Sequence, residues 1–136
     1  MYYDNQNLIT ALQNSLKDEE GAIGSYYVLA EKAPNEEYRR VILGIRKDEM
    51  GHALKTRKFL TYLTCVLYSG DVNYKQGDVK DFASGLKDAI NDEEGAAPAY
   101  KKIMEMSTAY PEIYYGIAET RKDEQSHALL LKSLQS

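Results

Sequence analysis

The chain has 136 residues, 43% of them hydrophobic, and a formal net charge of −4, which suits one domain, residues 1–136, with a core of its own. Its single cysteine excludes an intramolecular disulfide and any thiolate metal cluster, and it predicts a reducing, cytoplasmic location. Basic and acidic residues are interspersed and the apolar runs are short, so we expect neither a nucleic-acid partner nor a membrane segment.

The first half of the sequence has the apolar spacing of two helices. A cap at Asp4 or Asn5 predicts a helix that runs to about Lys32. Pro34 stands where the second helix should begin, since proline is tolerated in a first turn, and this helix is expected to reach about Val66. The first half therefore predicts a helical hairpin with a tight turn.

The second half repeats this organisation after a long connection. The segment from Tyr68 to Gly77 is rich in turn-forming residues and predicts a loop. Asp78 has the features of an N-cap, with Asp81 at the capping-box position, for a third helix that ends near Ser107. Pro111 is expected to open a fourth helix that reaches the C-terminus.

The two halves also share sequence. The stretch KDEEGA at 17–22 matches NDEEGA at 91–96, and RKDEMGHAL at 46–54 matches RKDEQSHAL at 121–129. Two similar hairpins predict an all-α, antiparallel four-helix bundle with a pseudo-two-fold axis and a long connection between helices 2 and 3. A dimer in which the halves are exchanged between two bundles satisfies the same pattern.

The apolar stripe of each predicted helix is interrupted near its middle by ionisable residues. They are Glu19, Glu49, His52, Glu93, Glu124 and His127. Buried carboxylates are uncommon unless they are paired, because desolvation costs several kcal/mol. Two imidazoles do not neutralise four carboxylates, whereas two divalent cations do. Oxygen and imidazole ligands suit iron or manganese better than a metal that prefers thiolates.

Spacing alone leaves several features of these stripes open. A single Glu-x-x-His is more often an exposed pair than a metal site, but here both histidines of the chain occur in the repeated phrase. Glu20 or Glu94 replaces its neighbour as the inward carboxylate if a stripe is turned by one position. Gly21 and Gly95 either allow a close approach or are simply tolerated within their helices.

A second repeated motif carries a resemblance to a known family. The motif Glu-x-x-Ala-x-x-x-Tyr occurs at Glu19, Ala22 and Tyr26 and again at Glu93, Ala96 and Tyr100. Together with the two Glu-x-x-His pairs, it makes the whole chain resemble the ferritin-like di-iron carboxylate proteins, and among them the rubrerythrins. The sequence departs from rubrerythrins by having Ala96 where they carry a further glutamate, and by lacking their four-cysteine rubredoxin-like domain.

The resemblance implies a role for each residue of the site. It implies two iron ions per bundle, with manganese or zinc as substitutes, bridged by Glu49 and Glu124. It selects Glu19 and Glu93, rather than their neighbours, as side ligands of one metal each, and His52 and His127 as one ligand to each metal. It also implies that Tyr26 and Tyr100 hydrogen-bond to carboxylates across the bundle.

The implied activity is that of a di-iron oxidoreductase that reacts with peroxide or dioxygen, as a peroxidase or a ferroxidase. Because no rubredoxin-like domain is present in the sequence, a separate electron donor is expected. We also expect a homodimer, with or without exchange of the halves. Two other functions fit the same residues: an iron-handling or storage-related protein, and a helical module that binds a structural metal.

Overall fold

The computed structural model describes residues 5–68 and 78–135 as a bundle of four helices. The helices are α1 (Gln6–Glu31), α2 (Glu36–Thr64), α3 (Phe82–Met106) and α4 (Pro111–Ser133). α1 packs along α2, and α3 packs along α4, so the chain forms the two predicted hairpins. None of the described helices combines the length and the apolarity needed to cross a bilayer.

The caps of the first hairpin agree with the sequence except at proline. Asn5 is the N-cap of α1, and its side chain donates to the Tyr110 hydroxyl at 2.6 Å instead of capping the helix. Asn35 caps α2 by accepting a hydrogen bond from the Tyr38 amide at 2.9 Å. Pro34 therefore precedes the cap and does not lie in the first turn, because the asparagine side chain satisfies the free amides there.

The caps of the second hairpin correct another prediction. Asp81 is the N-cap of α3 and accepts from the Ser84 amide at 2.8 Å, so the assignment of this role to Asp78 was wrong. Pro111 begins α4, as predicted. The predicted loop, residues 68–77, lies outside the described part of the chain beyond its first residue.

Contacts across the bundle define its topology. Tyr26 of α1 contacts Glu93 of α3, and Tyr100 of α3 contacts Glu19 of α1, so these two helices are antiparallel. The same crossed pattern makes α2 and α4 antiparallel. α2 therefore ends at the opposite end of the bundle from the start of α3, which explains why the connection between them is long.

The core consists of two apolar layers with a polar layer between them. One apolar cluster includes Leu12, Leu60 and Ile117, and the other includes Ile42, Ile90 and Leu131. The apolar stripes predicted for the four helices, for example Leu12 and Ile23 on α1, face this core. The polar layer at mid-height holds the ionisable residues of those stripes.

α2 and α4 approach each other closely where the Phe59 ring packs against Gly116. A Cβ atom added at Gly116 would lie 2.5 Å from Cζ of Phe59, so glycine is the residue that allows the ring to pack there. The carbonyl oxygen of Gly116 also accepts a hydrogen bond from Lys55 Nζ at 2.8 Å. This side of the bundle is therefore closed by direct contact.

Candidate metal centre

The six residues predicted as ligands all lie in the polar layer and are nearly inaccessible to solvent. Their exposed fractions are between 2% and 4%: Glu19, Glu49, His52, Glu93, Glu124 and His127. Each helix contributes a glutamate from the middle of its inward face, and α2 and α4 add a histidine one turn later. This follows from helix geometry, since positions i and i+3 share a face.

The neighbouring acids, which spacing left as alternatives, point outward. Glu20 is half-buried and accepts a hydrogen bond from Arg57 at 3.0 Å. Glu94 is exposed and lies 3.0 Å from Lys132 Nζ. Each of these acids has a cationic partner within its own hairpin and away from the polar layer, so the stripes are not turned by one position.

The inward side chains come within metal-ligand distance of one another. Ligand atoms of Glu49, Glu93, Glu124 and His127 all lie within 4.8 Å of each other. His52 joins this group through its Nδ1 atom, which is 3.0 Å from Glu124 Oε1 and 3.5 Å from Glu49 Oε2. Glu19 lines the same cavity as three of these glutamates.

Both imidazoles are oriented by an aspartate from the other hairpin. His52 Nε2 lies 2.8 Å from Asp123 Oδ2, and His127 Nε2 lies 2.9 Å from Asp48 Oδ2. An ionised carboxylate only accepts hydrogen bonds, so each Nε2 carries the proton that it donates. In the neutral tautomer this directs the Nδ1 lone pair into the site, as a metal ligand requires.

Two tyrosines hold the outer carboxylates. The Tyr26 hydroxyl donates to Glu93 Oε1 at 2.6 Å, and the Tyr100 hydroxyl donates to Glu19 Oε2 at 2.8 Å. Both hydroxyls are buried, and burial beside the carboxylates raises the pKa of each tyrosine far above its usual range. They therefore remain protonated donors, and the position expected of them across the bundle is the one they occupy.

One atom from each of the six side chains makes no well-formed hydrogen bond, although His52 Nδ1 and Glu124 Oε1 lie only 3.0 Å apart. Among the described residues, the buried polar atoms without a partner include Glu19 Oε1, Glu49 Oε1, His52 Nδ1, Glu93 Oε2, Glu124 Oε1 and His127 Nδ1. Leaving one such group unsatisfied costs about 1–3 kcal/mol, and more for a charged group. Once these groups have lost their protons, four carboxylates and two imidazoles would present converging lone pairs that fit metal ions.

The pKa values of the carboxylates reflect this crowding. Burial raises the pKa of Glu19 to about 7, although the Tyr100 hydrogen bond opposes the shift. Burial, reinforced by the Glu93 and Glu49 carboxylates, raises the pKa of Glu124 far above its usual range. Burial also acts to raise the pKa of Glu49, but the two imidazoles and Glu124 outweigh it and lower that pKa to about 2. Without a cation, therefore, the layer retains protons at neutral pH.

The histidine pKa values are raised by the same neighbours. Burial alone lowers the pKa of His127, but Glu49, Glu93 and Asp48 together raise it to about 10. Burial also acts to lower the pKa of His52, but contacts with Glu49 and Asp123 outweigh it and raise that pKa above its ordinary value. The imidazoles thus supply positive charge to the carboxylates in the metal-free protein.

The chain is similar to the uncharacterized protein YhjR of Bacillus subtilis strain 168. The two share 30% identity over 129 residues, which are 94% of this chain and 86% of the relative. The chain belongs to the YhjR family. No protein-family model matches it, and no solved structure matches it significantly.

Sequence reasoning missed three residues with side-chain partners at or near the polar layer of this YhjR-family protein. Asp48 and Asp123 directly precede the stripe glutamates, and their repetition in the shared phrase RKDE was the available signal. Arg57 is only 5% exposed although it is next to a stripe position, because it pairs with Glu20. Periodicity does not identify such residues, since they lie at the edge of the inward face and have partners on other helices.

Proposed function

We propose that this YhjR-family protein is a ferritin-like di-iron oxidoreductase that reduces peroxide or dioxygen at the centre of its bundle. The observation that carries the proposal is the convergence of six buried ligand atoms, one from each predicted ligand, none of which makes a well-formed hydrogen bond. Native structures satisfy most buried polar groups, so a set of six at one depth supports a site for a bound species.

The ligand set fits two divalent ions by charge and by chemical type. Four carboxylates balance two divalent ions, and oxygen with imidazole nitrogen is a donor set suited to iron and manganese. In this proposal Glu49 would hold both ions, because its two carboxylate oxygens lie 3.3 Å from His127 Nδ1 and 3.5 Å from His52 Nδ1. Glu124 would be shared in the same way, and Glu19 and Glu93 would each hold one ion.

When bound, a pair of ferrous ions supplies two electrons, one from each ion, which is what the reduction of peroxide to water requires. The chain holds the ligands for this reaction in place. Tyr26 and Tyr100 fix the side carboxylates through one oxygen each and leave the other oxygen free. Asp48 and Asp123 fix the imidazole rings. The ligands' burial excludes bulk water, which strengthens these interactions.

The proposal also requires a reductant. Returning two ferric ions to the ferrous state needs two electrons, and the single cysteine of the chain rules out a rubredoxin-type iron site within it. We therefore assign the electrons to a separate donor protein. A protein that instead oxidises iron once per ion pair and passes it on would not need this donor.

The experiment that tests the function is an anaerobic Fe(II) titration of chelator-stripped protein, followed by native mass spectrometry to count metal ions per chain. Two ions per chain are expected, and their oxidation by peroxide and by dioxygen is then compared by stopped-flow absorbance. Glu49→Ala and Glu124→Ala should each abolish binding of the pair. Glu20→Gln and Glu94→Gln are matched controls that should retain it.

Three results would contradict parts of this proposal. One ion or none per chain in the wild type would refute the paired site. Two ions retained in Glu49→Ala or Glu124→Ala would refute the assignment of the bridges. Tight zinc binding without any oxidation of bound iron would favour a structural metal site over an oxidoreductase.

A further inference from the structure

A cavity of about 750 Å³ lies between α1 and α3 and extends from the polar layer to the surface. Four aspartates and two lysines line it: Asp18, Asp78, Asp88, Asp92, Lys17 and Lys80. Asp18 and Asp88 are close enough to Asp92 to act on it electrostatically. The cavity lining is therefore acidic before the buried glutamates are counted.

The inner wall of the cavity includes two of the unpartnered carboxylates. Glu19 and Glu93 both line it, with exposed fractions of 2% and 3%. Their Oε1 and Oε2 atoms, respectively, have no hydrogen-bond partner, while the other oxygen of each is held by a tyrosine. A cation that enters the cavity from the acidic surface thus meets two free, buried carboxylate oxygens.

Small residues keep the space between α1 and α3 open. Gly21 and Gly95 line the cavity, and a Cβ atom added at either would meet nothing within 4 Å. The opposite side of the bundle differs, because the hydrogen bond from Lys55 and the Phe59 ring at Gly116 close it. Glycine in a helix costs stability relative to alanine, and at these two positions its effect is to leave room.

We propose that the cavity between α1 and α3 is the route by which a hydrated divalent cation reaches the metal centre, and that Asp18, Asp88 and Asp92 form its outer binding site. A cleft with charge of one sign and low-dielectric walls concentrates the opposite ion and raises its association rate. The inference rests on the proposed function, since it describes how the same centre is loaded.

The first test measures loading rates with Co(II) as the probe. Chelator-stripped protein is mixed with Co(II) at low ionic strength, and the visible absorbance of the bound ion is followed by stopped flow. The variant Asp18→Asn/Asp88→Asn/Asp92→Asn should load about tenfold more slowly with an unchanged endpoint and a weaker dependence on salt. The control Glu31→Gln/Glu37→Gln/Glu105→Gln has the same change of net charge on residues outside the cavity and should load at the wild-type rate.

The second test blocks the route without changing charge. Gly21→Leu places a side chain in the cavity and should slow loading while raising the melting temperature, because it replaces glycine within a helix. Gly51→Leu is the matched control: Gly51 is also helical, exposed and without neighbours within 4 Å, but it does not line the cavity. It should raise the melting temperature and leave the loading rate unchanged.

The outcomes separate this inference from the proposed function. Failure of the wild type to bind any Co(II), together with no Fe(II) binding, refutes both. Full loading of both variants at the wild-type rate refutes only the route. If the triple variant does not fold, Asp88→Asn alone and Gly21→Leu decide the question, because Asp88 lies more than one helical turn from the nearest proposed ligand.

Discussion

The hydroxyl of Tyr26 on α1 donates to Glu93 Oε1 on α3 at 2.6 Å, and it does so in a layer where the second oxygen of that carboxylate has no partner. Tyr100 makes the reciprocal contact with Glu19 at 2.8 Å. The two bonds connect the hairpins and orient a carboxylate toward the centre at the same time. Fold stability and ligand geometry are therefore coupled at these tyrosines.

Replacing either tyrosine by phenylalanine should weaken both properties. Tyr26→Phe removes a hydrogen bond to a buried carboxylate, which is worth about 1.5–3 kcal/mol, and it leaves Glu93 free to rotate. We expect a lower melting temperature and about 10–100-fold weaker metal binding. Calorimetric metal titration and thermal denaturation measure these effects. Tyr27→Phe, on the exposed side of α1, is the control; if it weakened binding equally, the effect would not belong to the hydrogen bond.

The aspartates that hold the imidazoles should affect metal affinity more than fold. Asp48→Asn and Asp123→Asn keep side-chain size but remove the charge that fixes the histidine tautomer. We expect about 10–100-fold weaker binding and a shifted Co(II) spectrum, with little loss of helix by circular dichroism. Glu119→Gln, which removes an exposed partner of Lys55, should have neither effect. An unchanged affinity in both asparagine variants would show that the imidazoles need no orientation by aspartate.

The metal-free protein should lose stability as pH rises through neutrality. The pKa of Glu19 is raised from 4.5 to about 7, so its contribution is complete below pH 4.5 and is lost as pH rises through 7. The pKa of His127 is raised from 6.5 to about 10, so its contribution is lost as pH rises through 10. Glu49, with its lowered pKa, loses its contribution only as pH falls toward 2.

Thermal denaturation of the metal-free protein, kept so by a chelator, at pH 5.5 and 8.5 checks the direction of this pH dependence. The melting temperature should be several degrees higher at pH 5.5, and Glu19→Gln should reduce the difference because it removes one of the titrating groups. A higher melting temperature at pH 8.5 in the chelated wild type would contradict the assigned pKa shifts.

Metal removal at neutral pH should lower the melting temperature, because ions that bind only the folded site stabilise the folded state. Saturation at 100 times the dissociation constant corresponds to about 2.7 kcal/mol of stabilisation. Scanning calorimetry with and without chelator measures the shift. Glu49→Ala, in which the pair should not bind, is the control and should respond little to chelator. An unchanged wild-type melting temperature would argue against a site in the core.

Replacing two helical glycines by alanine should change the stability of the fold in opposite directions. A Cβ atom at Gly116 would lie 2.5 Å from the Phe59 ring, so Gly116→Ala should destabilise the fold by about 1–3 kcal/mol through overpacking. A Cβ atom at Gly44 meets nothing within 4 Å, so Gly44→Ala should stabilise α2 by about 0.5–1 kcal/mol. Urea denaturation measures both. Stabilisation by Gly116→Ala would mean that the ring moves without cost.

The angular spacing of residues around a helix predicted the helices and the inward positions of Glu49, His52, Glu124 and His127, whereas the choice of Glu19 and Glu93 over their neighbours came from the family resemblance. Glu19 and Glu20 are neighbours in the sequence. Glu19 is buried in the polar layer, whereas Glu20 accepts a hydrogen bond from Arg57. Pro98 lies inside α3 on its exposed side, so it does not interrupt the apolar spacing that predicted this helix. The fold class followed from these patterns with little ambiguity.

Features that depend on a second helix were predicted less well. The N-cap of α3 was assigned to Asp78 with Asp81 in its capping box, whereas Asp81 is the cap and accepts a hydrogen bond from the Ser84 amide. Asp48 and Asp123 gain their roles from histidines on another hairpin. The cavity between α1 and α3 depends on how far two helices stand apart, which the periodicity of one helix does not determine.

The crossed pairs of histidine and aspartate tie the proposed metal centre to the docking of the two hairpins. His52 on the first hairpin is held by Asp123 on the second, and His127 on the second is held by Asp48 on the first. If the hairpins separate, both imidazoles lose their support in one step, together with the tyrosine bonds to the side carboxylates. Under the proposed function, ion retention would therefore require both halves of the chain to be docked, and a half-folded copy would release its ions instead of holding a partly coordinated pair.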